Sequence, residues 1–407
     1  MYSQTFTADN LYRLTRQSER RDFAPDNESK QNLLEYLRQT CEYIIKNDSL
    51  NFRFREVNGV YVNDYDNLDG LVQELIIRKI YENIKRIYKI KQANRNSIIK
   101  QIVVLLKDTY PSYIIRLDIK KFYDSIELDK IISKLTDDIR LNHHSISLIK
   151  KIFSDSKIKT RGLPKGISLS SILSELYMKK IDDSIRHIDG IYYYERFVDD
   201  IIIFCNGQEN FKKIQDKVCT LLYNKGLKLN YNKKQFLNDF YLNQGKKLTY
   251  LGYSFKTSRP NRNAHTCNIL ETELAATKVK AFKTKITKSF VHFAKSDDFD
   301  LLKQRIKFLT GNYWVSNPSD LRPIKAGIYY NYSLLTSSKL DQLKDLDYFY
   351  QHMLHCKTGK LGSLLKIKLS DSNINELEHF GFHAGWEKRI LSYFTPTQIG
   401  VIKSCWR

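Results

Sequence analysis

The segment YYYERFVDDIIIF, residues 192–204, is the feature that most constrains the fold of this chain. Aromatic residues precede the two aspartates and a block of isoleucine follows them, so the pattern predicts two buried strands joined by a short turn. The adjacent carboxylates of Asp199 and Asp200 repel each other, and burying unpaired carboxylates is costly. A turn that directs both side chains toward a cation lowers that cost.

A third carboxylate, Asp118, lies at the end of another strongly apolar strand, YIIRLD. Mg²⁺ prefers hard oxygen ligands, often one or two carboxylates together with substrate phosphates. Polymerases use two such ions about 4 Å apart, one at the attacking hydroxyl and one at the leaving pyrophosphate. Two ions need a third carboxylate, and we expect Asp118 to join Asp199 and Asp200 at one edge of a sheet.

The charge balance points to a polyanionic partner. The 407 residues include 67 Lys and Arg against 45 Asp and Glu, a formal charge of +22, which makes nucleic acid the first candidate. The 27 Tyr and 21 Phe favour the same class because bases stack on aromatic rings. No apolar run is long enough to cross a membrane, and the first residues do not resemble a signal peptide, so we expect a cytoplasmic protein.

Periodicity predicts an α+β fold. Helical patterns cover residues 1–50 and 69–107, and strands, turns and helices then alternate up to residue 256. Residues 256–268 are interpreted as a linker, and the chain beyond them as helical. Asp124 and Glu127 are expected to cap a helix. Three further Asp-Asp pairs are expected on the surface, at positions 137–138, 182–183 and 297–298.

Taken in order, the motifs resemble those of reverse transcriptases from the bacterial group II intron, retron and defence lineage. RLDIKKFYDSI resembles the first catalytic motif, and GLPKGISLSSILSELYM resembles the motif that supports template and nucleotide. FVDD is similar to the YxDD box, GLKLNYNKKQF to the motif that follows it, and LTYLGYSF to the primer grip. KQANRNSIIKQI resembles a motif of the fingers. The resemblance covers about residues 70–256.

The resemblance implies roles for individual residues. The implied catalytic residues are Asp118, Asp199 and Asp200, and the implied ligands of two Mg²⁺ ions, with Mn²⁺ as an alternative, are Asp118, Ile119, Asp199 and Asp200. The implied dNTP-binding residues are Arg95, Tyr123, Lys165 and Lys233. The implied template/primer-binding residues are Gly166, Ser170, Phe197, Val198, Leu251, Gly252, Tyr253, Lys278 and Lys285. Tyr123 stands where the family keeps an aromatic that blocks a ribose 2′-hydroxyl.

The implied fold is the right-hand polymerase, with fingers, a palm built on an antiparallel sheet, a helical thumb and a helical C-terminal extension. An N-terminal helical extension is expected at residues 1–68. Fingers are expected at about 69–110 and 131–165, and the palm at about 111–130 and 166–256, which together make the reverse transcriptase region 69–256. Residues 257–407 are expected to form the helical thumb and C-terminal region.

Several positions depart from the family pattern. The usual PQG is PKG here, so Lys165 stands where a glutamine normally contacts the nucleotide. Ser170-Ser171 replaces the common serine-proline, and FVDD replaces YADD, which removes a hydroxyl at Phe197 and adds bulk at Val198. None of these changes removes an implied metal ligand, so we expect an active enzyme, and the sequence does not define the effect of these changes on its fidelity.

Within the lineage, the chain lacks the Val-Thr-Gly thumb signature of retrons. Besides the polymerase motifs, it has no second set of residues typical of a nuclease site. The resemblance is greatest to stand-alone antiphage defence reverse transcriptases, and among these to the first subunit of the type 3 system, which encodes two reverse transcriptases. The implied partners are dNTPs, a noncoding RNA template, the DNA product and a second reverse transcriptase subunit in an oligomeric complex, with no membrane.

Three alternatives stay open from the sequence. One is a nucleic-acid-binding scaffold without catalysis, against which the complete set of three aspartates argues. Another is an RNA-dependent RNA polymerase, against which Tyr123 and the primer-grip motif argue. The third is template-independent or protein-primed synthesis of the abortive-infection type, for which exposed tyrosines would serve, and the candidates are Tyr329, Tyr330 and Tyr332.

Overall fold

The computed structural model of the chain describes most of its 407 residues. The described residues are 3–57, 59–63, 67–108, 113–154, 158, 162–238, 240, 246–258, 269–315, 323–336 and 340–406. Most of the segment interpreted as a linker, residues 259–268, lies outside the described residues.

Helices and strands are both numbered in chain order. The helices are α1 (Ala8–Tyr12), α2 (Gln17–Phe23), α3 (Asn27–Asn47), α4 (Leu68–Ile87), α5 (Arg95–Lys107), α6 (Phe122–Ser125), α7 (Leu128–Asp137), α8 (His143–Phe153), α9 (Ser168–Arg186), α10 (Gln208–Asn224), α11 (Ala276–Ser296), α12 (Phe299–Thr310), α13 (Ile328–Asn331), α14 (Asp341–Leu354), α15 (Gly359–Lys368), α16 (Asp371–Glu378), α17 (Phe382–Lys388) and α18 (Pro396–Lys403). The strands are β1 (Phe54–Val57), β2 (Val60–Asn63), β3 (Tyr113–Asp118), β4 (Ile191–Phe197), β5 (Asp200–Cys205), β6 (Gln235–Leu237), β7 (Leu248–Tyr250), β8 (Tyr253–Ser258), β9 (Ile269–Leu274), β10 (Asn312–Val315), β11 (Ile324–Gly327) and β12 (Leu391–Ser392).

The chain forms two compact units, and the first comprises residues 1–93 and 115–234. In its N-terminal part, α1 packs against α3 and α4. The buried face of α3 repeats every three or four residues, at Leu33, Leu37, Cys41 and Ile44. A buried ion pair joins α2 to α4, with Arg78 Nη2 2.6 Å from Glu19 Oε1. The N-terminal helices are therefore part of the core of this unit.

The sheet of the first unit places β5 between β4 and β3. β4 and β5 form an antiparallel hairpin in which Phe197 pairs with Asp200. Each residue of β5 after Asp200 is buried, as a central strand requires. α9 packs against β4 and covers the hairpin with a face of leucine and isoleucine. The strand–turn–strand prediction for residues 192–204 is confirmed.

A second hairpin, β1–β2, was not predicted, and it supports the loop before α9. The N–H of Tyr61 donates to the carbonyl oxygen of Lys165 over 2.7 Å. Gly166 has φ +101°, and a Cβ there would lie 2.2 Å from the Tyr61 carbonyl oxygen and 2.5 Å from Val60 Cγ1. Glycine is thus required at this position both by backbone conformation and by the close approach of β2.

Replacing Gly166 by alanine is expected to lower the free energy of unfolding by about 2–4 kcal/mol, since left-handed strain and a backbone clash add together. Gly59→Ala is the matched control, because Gly59 turns the same hairpin at φ +76° with nothing within 4 Å of the added Cβ. That control should cost about 1 kcal/mol from strain alone. Equilibrium urea unfolding measures both variants, and equal losses would contradict the clash.

The second unit comprises residues 94–114 and 235–407. Strands β7, β8 and β9 form an antiparallel sheet, and α5 packs against β9. α11 packs against α12, α14 and α15 and buries Phe290 and Phe293. A smaller sheet has the order β11-β10-β12, in which β12 runs parallel to β10. This unit is mainly helical but carries strands throughout.

Several local expectations need correction. The helical interpretation of the region after residue 268 missed β9, β10, β11 and β12. Asp124 lies inside the short helix α6, and Glu127 precedes α7 without a capping side-chain hydrogen bond, so the predicted cap is wrong. Within the part of the chain that the structure describes, no helix is both long and apolar enough to span a membrane.

Candidate active site

The turn between β4 and β5 carries the two adjacent aspartates. Because Phe197 pairs with Asp200, Val198 and Asp199 form the connection between the strands. Val198 has φ 58°, a left-handed conformation that β-branched side chains rarely adopt. Backbone strain of this kind is characteristic of functional sites, where the surrounding fold holds it in place.

Strand β3 brings Asp118 to the same edge of the sheet. The N–H of Ile119 donates to the carbonyl oxygen of Asp199 over 3.0 Å, which fixes the end of β3 against the turn. Asp118 is only 2% exposed. The three aspartates that the sequence predicted to meet therefore do meet, at the ends of neighbouring strands.

The electrostatics of this edge favour an added cation. Burial raises the pKa of Asp199, and the nearby charge of Asp118 raises it further, although Lys233 opposes this. Burial also raises the pKa of Asp200, opposed by Arg116, whose Nη2 lies 3.4 Å from Oδ1 of Asp200. Ionising these two carboxylates therefore costs more than it does in water, and added positive charge would lower that cost.

Two polar side chains hold Asp118. Lys233 Nζ donates to Oδ2 over 2.7 Å, and Asn230 Nδ2 donates to Oδ1 over 2.9 Å. The N–H of Asn230 also donates to the backbone carbonyl oxygen of Asp118 over 2.7 Å. The hydrogen bond to Asp118 raises the pKa of Lys233, so this ammonium group stays charged. Lys233 therefore lies at the carboxylates, and its predicted contact with a triphosphate stays a prediction.

A buried network of charged side chains joins the β4–β5 hairpin to α9. Arg196 is 5% exposed and donates to both carboxylate oxygens of Asp182 and to both of Glu175. It also donates to the carbonyl oxygen of Val198 over 2.8 Å, which ties the network to the strained turn. The hydroxyl of Tyr194 donates to Asp182 as well. Asp182, expected on the surface, is instead a buried partner of Arg196.

Tyr123 follows the end of β3 in α6 and is half-buried. Burial raises the pKa of its hydroxyl, and a hydrogen bond with Ser174 partly opposes this rise. Gly162 packs on the backbone here, since a Cβ on it would lie 2.3 Å from the carbonyl oxygen of Tyr123. The turn that precedes α9 therefore lies directly against the segment that carries Tyr123.

The predicted residues of that turn are held by β2 and by the start of α9. Lys165 presents its carbonyl oxygen to β2, and its side chain is exposed. Ser170 is buried, and its hydroxyl donates to the carbonyl oxygen of Pro164 over 2.6 Å. Ser170 thus fixes the loop, and its predicted contact with template or primer stays a prediction.

In the second unit, Arg95 is anchored to the turn between β7 and β8. Its guanidinium donates to the carbonyl oxygens of Leu251 and Asn331. It lies 5.3 Å from the ring centroid of Tyr253 and 5.4 Å from that of Tyr332. The structure thus joins Arg95 to the predicted primer-grip residues, and its predicted role at dNTP stays a prediction.

The same turn is closely packed against α11. Leu251 has φ 45° and Gly252 has φ 85°. A Cβ on Gly252 would lie 3.1 Å from Lys278 Cε and 3.4 Å from the ring of Tyr332. The predicted residues Gly252 and Lys278 are therefore neighbours, and Lys285 lies two turns further along α11.

Comparison with known protein families decides the assignment. Residues 50–255, just over half of the chain, match the family model described as reverse transcriptase (RNA-dependent DNA polymerase). The chain belongs to the reverse transcriptase family. Its α+β architecture, with an antiparallel hairpin carrying the paired aspartates, is accordingly the polymerase fold that the sequence predicted, and the family is one of nucleotidyltransferases.

Solved structures with some likeness to this reverse transcriptase include telomerases from two Candida species. Telomerase from Candida albicans in complex with the TWJ fragment of telomeric RNA matches at 12% identity over 85% of this chain and 59% of that chain, with a TM-score of 0.38. The corresponding complex from Candida tropicalis matches at 12% identity over 88% and 63%, with a TM-score of 0.37. Apo telomerase from Candida tropicalis, truncated from its C-terminal domain, matches at 18% identity over 44% and 42%, with a TM-score of 0.34.

The reverse transcriptase therefore spans less than two thirds of the length of each of these telomerase chains. A search of curated proteins found no match.

The donor set of this reverse transcriptase fits a hard divalent cation. The carboxylates of Asp199 and Asp200 are half-buried, repel each other and have raised pKa values. In the present conformation, no group of three His, Cys, Asp or Glu among the described residues is arranged to hold a metal ion. Both oxygens of Asp118 are engaged by Lys233 and Asn230, so coordination by Asp118 requires at least one of these contacts to open.

Sequence reasoning missed four residues that shape this reverse transcriptase site, namely Arg116, Glu175, Arg196 and Asn230. Asn230 lies inside the motif GLKLNYNKKQF, so its proximity to Lys233 offered a signal. Arg116 lies on β3 two residues before Asp118, where strand periodicity places both side chains on one face. Arg196 and Glu175 are brought together by tertiary packing, and neither has a local sequence signature.

Proposed function

We propose that the chain is an RNA-directed DNA polymerase, which joins a primer 3′-hydroxyl to the α-phosphate of a deoxynucleoside triphosphate. The observation that carries this proposal is the convergence of Asp118, Asp199 and Asp200 within the region matched by the family model. Two Mg²⁺ ions, or Mn²⁺ in their place, would be held by Asp118, Ile119, Asp199 and Asp200. When bound, they supply Lewis-acid activation of the hydroxyl and stabilise the leaving pyrophosphate.

The side chains around the carboxylates take supporting roles. Lys233 is half-exposed while it contacts Asp118, so its ammonium group is available to a triphosphate as well. Tyr123 presents a half-buried ring that would exclude a 2′-hydroxyl. Lys165 and Arg95 would complete the dNTP contacts.

The remaining predicted residues would contact template and primer. The first unit carries Gly166, Ser170, Phe197 and Val198, and the second carries Leu251, Gly252, Tyr253, Lys278 and Lys285. Phe197 is the last residue of β4 and Val198 begins the turn, which supports a role at the primer end.

The biological setting is proposed from the sequence resemblance. The template would be a dedicated noncoding RNA, and the role would be bacterial antiphage defence in the cytoplasm. A second reverse transcriptase subunit would complete an oligomeric complex, as in the type 3 system. The formal charge of +22 supports a polyanionic partner of this kind.

The surroundings of the three candidate tyrosines give little support to protein-primed synthesis. Tyr332, one of the three tyrosines considered for it, is buried and packs against Arg95. Tyr329 is half-buried, with the guanidinium of Arg389 4.1 Å from its ring centroid. Tyr330 is half-buried as well.

Primer extension on an RNA template tests the proposed reaction. We expect Mg²⁺-dependent incorporation of dNTPs, strong discrimination against NTPs, and no incorporation in the presence of EDTA. Tyr123→Ala should reduce the preference for dNTPs over NTPs by about tenfold to a hundredfold, because the ring that excludes the 2′-hydroxyl is gone. Tyr123→Phe keeps the ring and should leave the preference unchanged.

Each alternative predicts a different result in the same assay. Wild-type protein that incorporates no dNTP on any RNA or DNA template would favour the scaffold reading. A preference for NTPs would indicate an RNA polymerase. Product covalently attached to the protein would indicate protein priming.

A further inference from the structure

The loop of residues 228–233, which lies between α10 and β6 in the first unit, supplies both side chains that hold Asp118. Backbone contacts fasten this loop to the end of β3. The N–H of Lys120 donates to the carbonyl oxygen of Lys228 over 2.7 Å, and an antiparallel bridge between the next residue of the loop and the residue after Asp118 lies beside this bond. The loop therefore moves with the end of the strand rather than independently of it.

The two donors to Asp118 differ in how firmly they are held. Asn230 has a short side chain, and its backbone is fixed on both sides. Its N–H donates to the carbonyl oxygen of Asp118 over 2.7 Å, and its own carbonyl oxygen accepts from the N–H of Lys233 over 3.1 Å. Lys233 reaches Asp118 with a long side chain that is 53% exposed. The amide is thus held in place by the fold, whereas the ammonium group is free to turn into solvent.

The two donors also differ in charge. The side-chain amide of Asn230 is neutral, so it can stay on Oδ1 of Asp118 when a cation approaches the same carboxylate. The ammonium group of Lys233 has the same sign of charge as the cation and is repelled by it. Carboxylates that bind metals are commonly oriented by a further hydrogen bond from a neighbouring side chain. Of the two contacts, the one from Asn230 is therefore compatible with coordination, and the one from Lys233 competes with it.

We propose that Asn230 is the positioning residue of Asp118, and that its hydrogen bond persists when this carboxylate binds a divalent cation, whereas the contact from Lys233 opens. The proposal rests on the proposed function, because it takes Asp118 as a metal ligand. It divides one carboxylate between two neighbours with opposite effects on metal affinity. Asn230 favours binding by orienting the carboxylate, and Lys233 opposes binding by competing for it.

Metal binding by the full-length protein, without nucleotide or nucleic acid, tests this division. The probe is Mn²⁺, whose free concentration is measured by electron paramagnetic resonance. Asn230→Leu should weaken Mn²⁺ binding about tenfold to a hundredfold, because the carboxylate loses the bond that orients it. Lys233→Met should tighten Mn²⁺ binding by roughly twofold to tenfold, because a half-exposed competing charge is gone. The two effects have opposite signs although both residues contact the same side chain.

The loop also offers matched controls. Asn232→Leu removes an exposed asparagine from the same loop, and Lys234→Met removes an equal charge at a position where Nζ lies 4.6 Å from the ring centroid of Tyr231. Each control should change Mn²⁺ affinity less than about twofold, because exposed charges are screened by salt. Asn230→Gln keeps an amide donor and should lose less affinity than Asn230→Leu. Cooperative thermal unfolding in EDTA shows which variants are folded.

The direction of each change decides the result. A shift of Mn²⁺ affinity in the same direction for Asn230→Leu and Lys233→Met, or no shift in either, would overturn the division of roles. Asp118→Asn and Asp199→Asn separate this failure from a failure of the proposed function. If both weaken Mn²⁺ binding, the carboxylates are the metal site and the proposed function stands even when the division of roles is wrong. If neither does, the ion is held elsewhere, and the proposed function fails together with the inference.

Discussion

Asp199→Asn is expected to reduce nucleotide incorporation by about a thousandfold or more, since the proposed function makes Asp199 a ligand of a two-ion site, and such a ligand contributes several kcal/mol to stabilising the transition state. The same substitution should not destabilise the fold. Burial and Asp118 raise the pKa of Asp199, so the folded state holds this proton more tightly than the unfolded state does. Stability from this group is therefore present at low pH and is lost as the pH rises through the folded pKa. A neutral amide of the same shape removes that penalty.

The measurement pairs single-turnover primer extension with thermal unfolding in EDTA at neutral pH. The midpoint for Asp199→Asn should equal or exceed that of the wild type while incorporation falls. Asp183→Asn is the matched control, because Asp183 is an exposed aspartate that pairs only at the surface with Arg186. That control should change neither quantity. A midpoint that falls together with activity would show that Asp199 serves the fold rather than the chemistry.

Arg196→Met is expected to cost about 3–5 kcal/mol of unfolding free energy, because it leaves buried carboxylates without their partner. Arg196 contacts Asp182 at 2.8 Å and Glu175 at 2.7 Å, and its side chain is only 4% exposed. It also holds the carbonyl oxygen of Val198, so the strained turn beside Asp199 loses its support. Activity should fall with stability in this variant, in contrast to Asp199→Asn.

Urea unfolding of combined variants tests whether the stability lost in Arg196→Met comes from the unpaired carboxylates. The triple variant Arg196→Met, Asp182→Asn, Glu175→Gln should recover part of the lost stability, since no uncompensated charge is then buried. Arg38→Met removes an arginine from an exposed ion pair with Glu35 and should cost at most about 1 kcal/mol. A triple variant as unstable as Arg196→Met alone would mean that packing of the arginine, not charge pairing, is what the hairpin needs.

The convergence of the three aspartates at one edge of the sheet could be predicted because the sequence patterns that indicate it are local. Asp118 ends one strand, and Asp200 begins another directly after Asp199. The apolar pattern of each strand can be recognised by itself, and strand ends of one sheet meet at a common edge. The hairpin β1–β2 also has a local signal, because FREVNGVYVN places an Asn-Gly turn between two short segments that contain Phe, Val and Tyr.

Other features could not be read from local patterns. Asp182 has the sequence surroundings of a surface residue on a helix, but it is buried against Arg196 of β4, fourteen positions away. The engagement of Arg95 by the carbonyl oxygen of Leu251 spans 156 positions. No local pattern shows which donor serves which acceptor here, because these pairs form only when tertiary packing brings distant segments together.

The early position of β1–β2 in the chain has a consequence for shortened forms of the protein. Tyr61 contacts the loop at Lys165 and Gly166, and Arg78 of α4 is paired with Glu19 of α2. A fragment beginning at residue 69 would keep all three aspartates, yet it would leave Arg78 without that counter-charge and the loop at Lys165 and Gly166 without its neighbour. The smallest fragment that keeps this site folded is therefore expected to be longer than the motifs and to begin among the first helices of the chain.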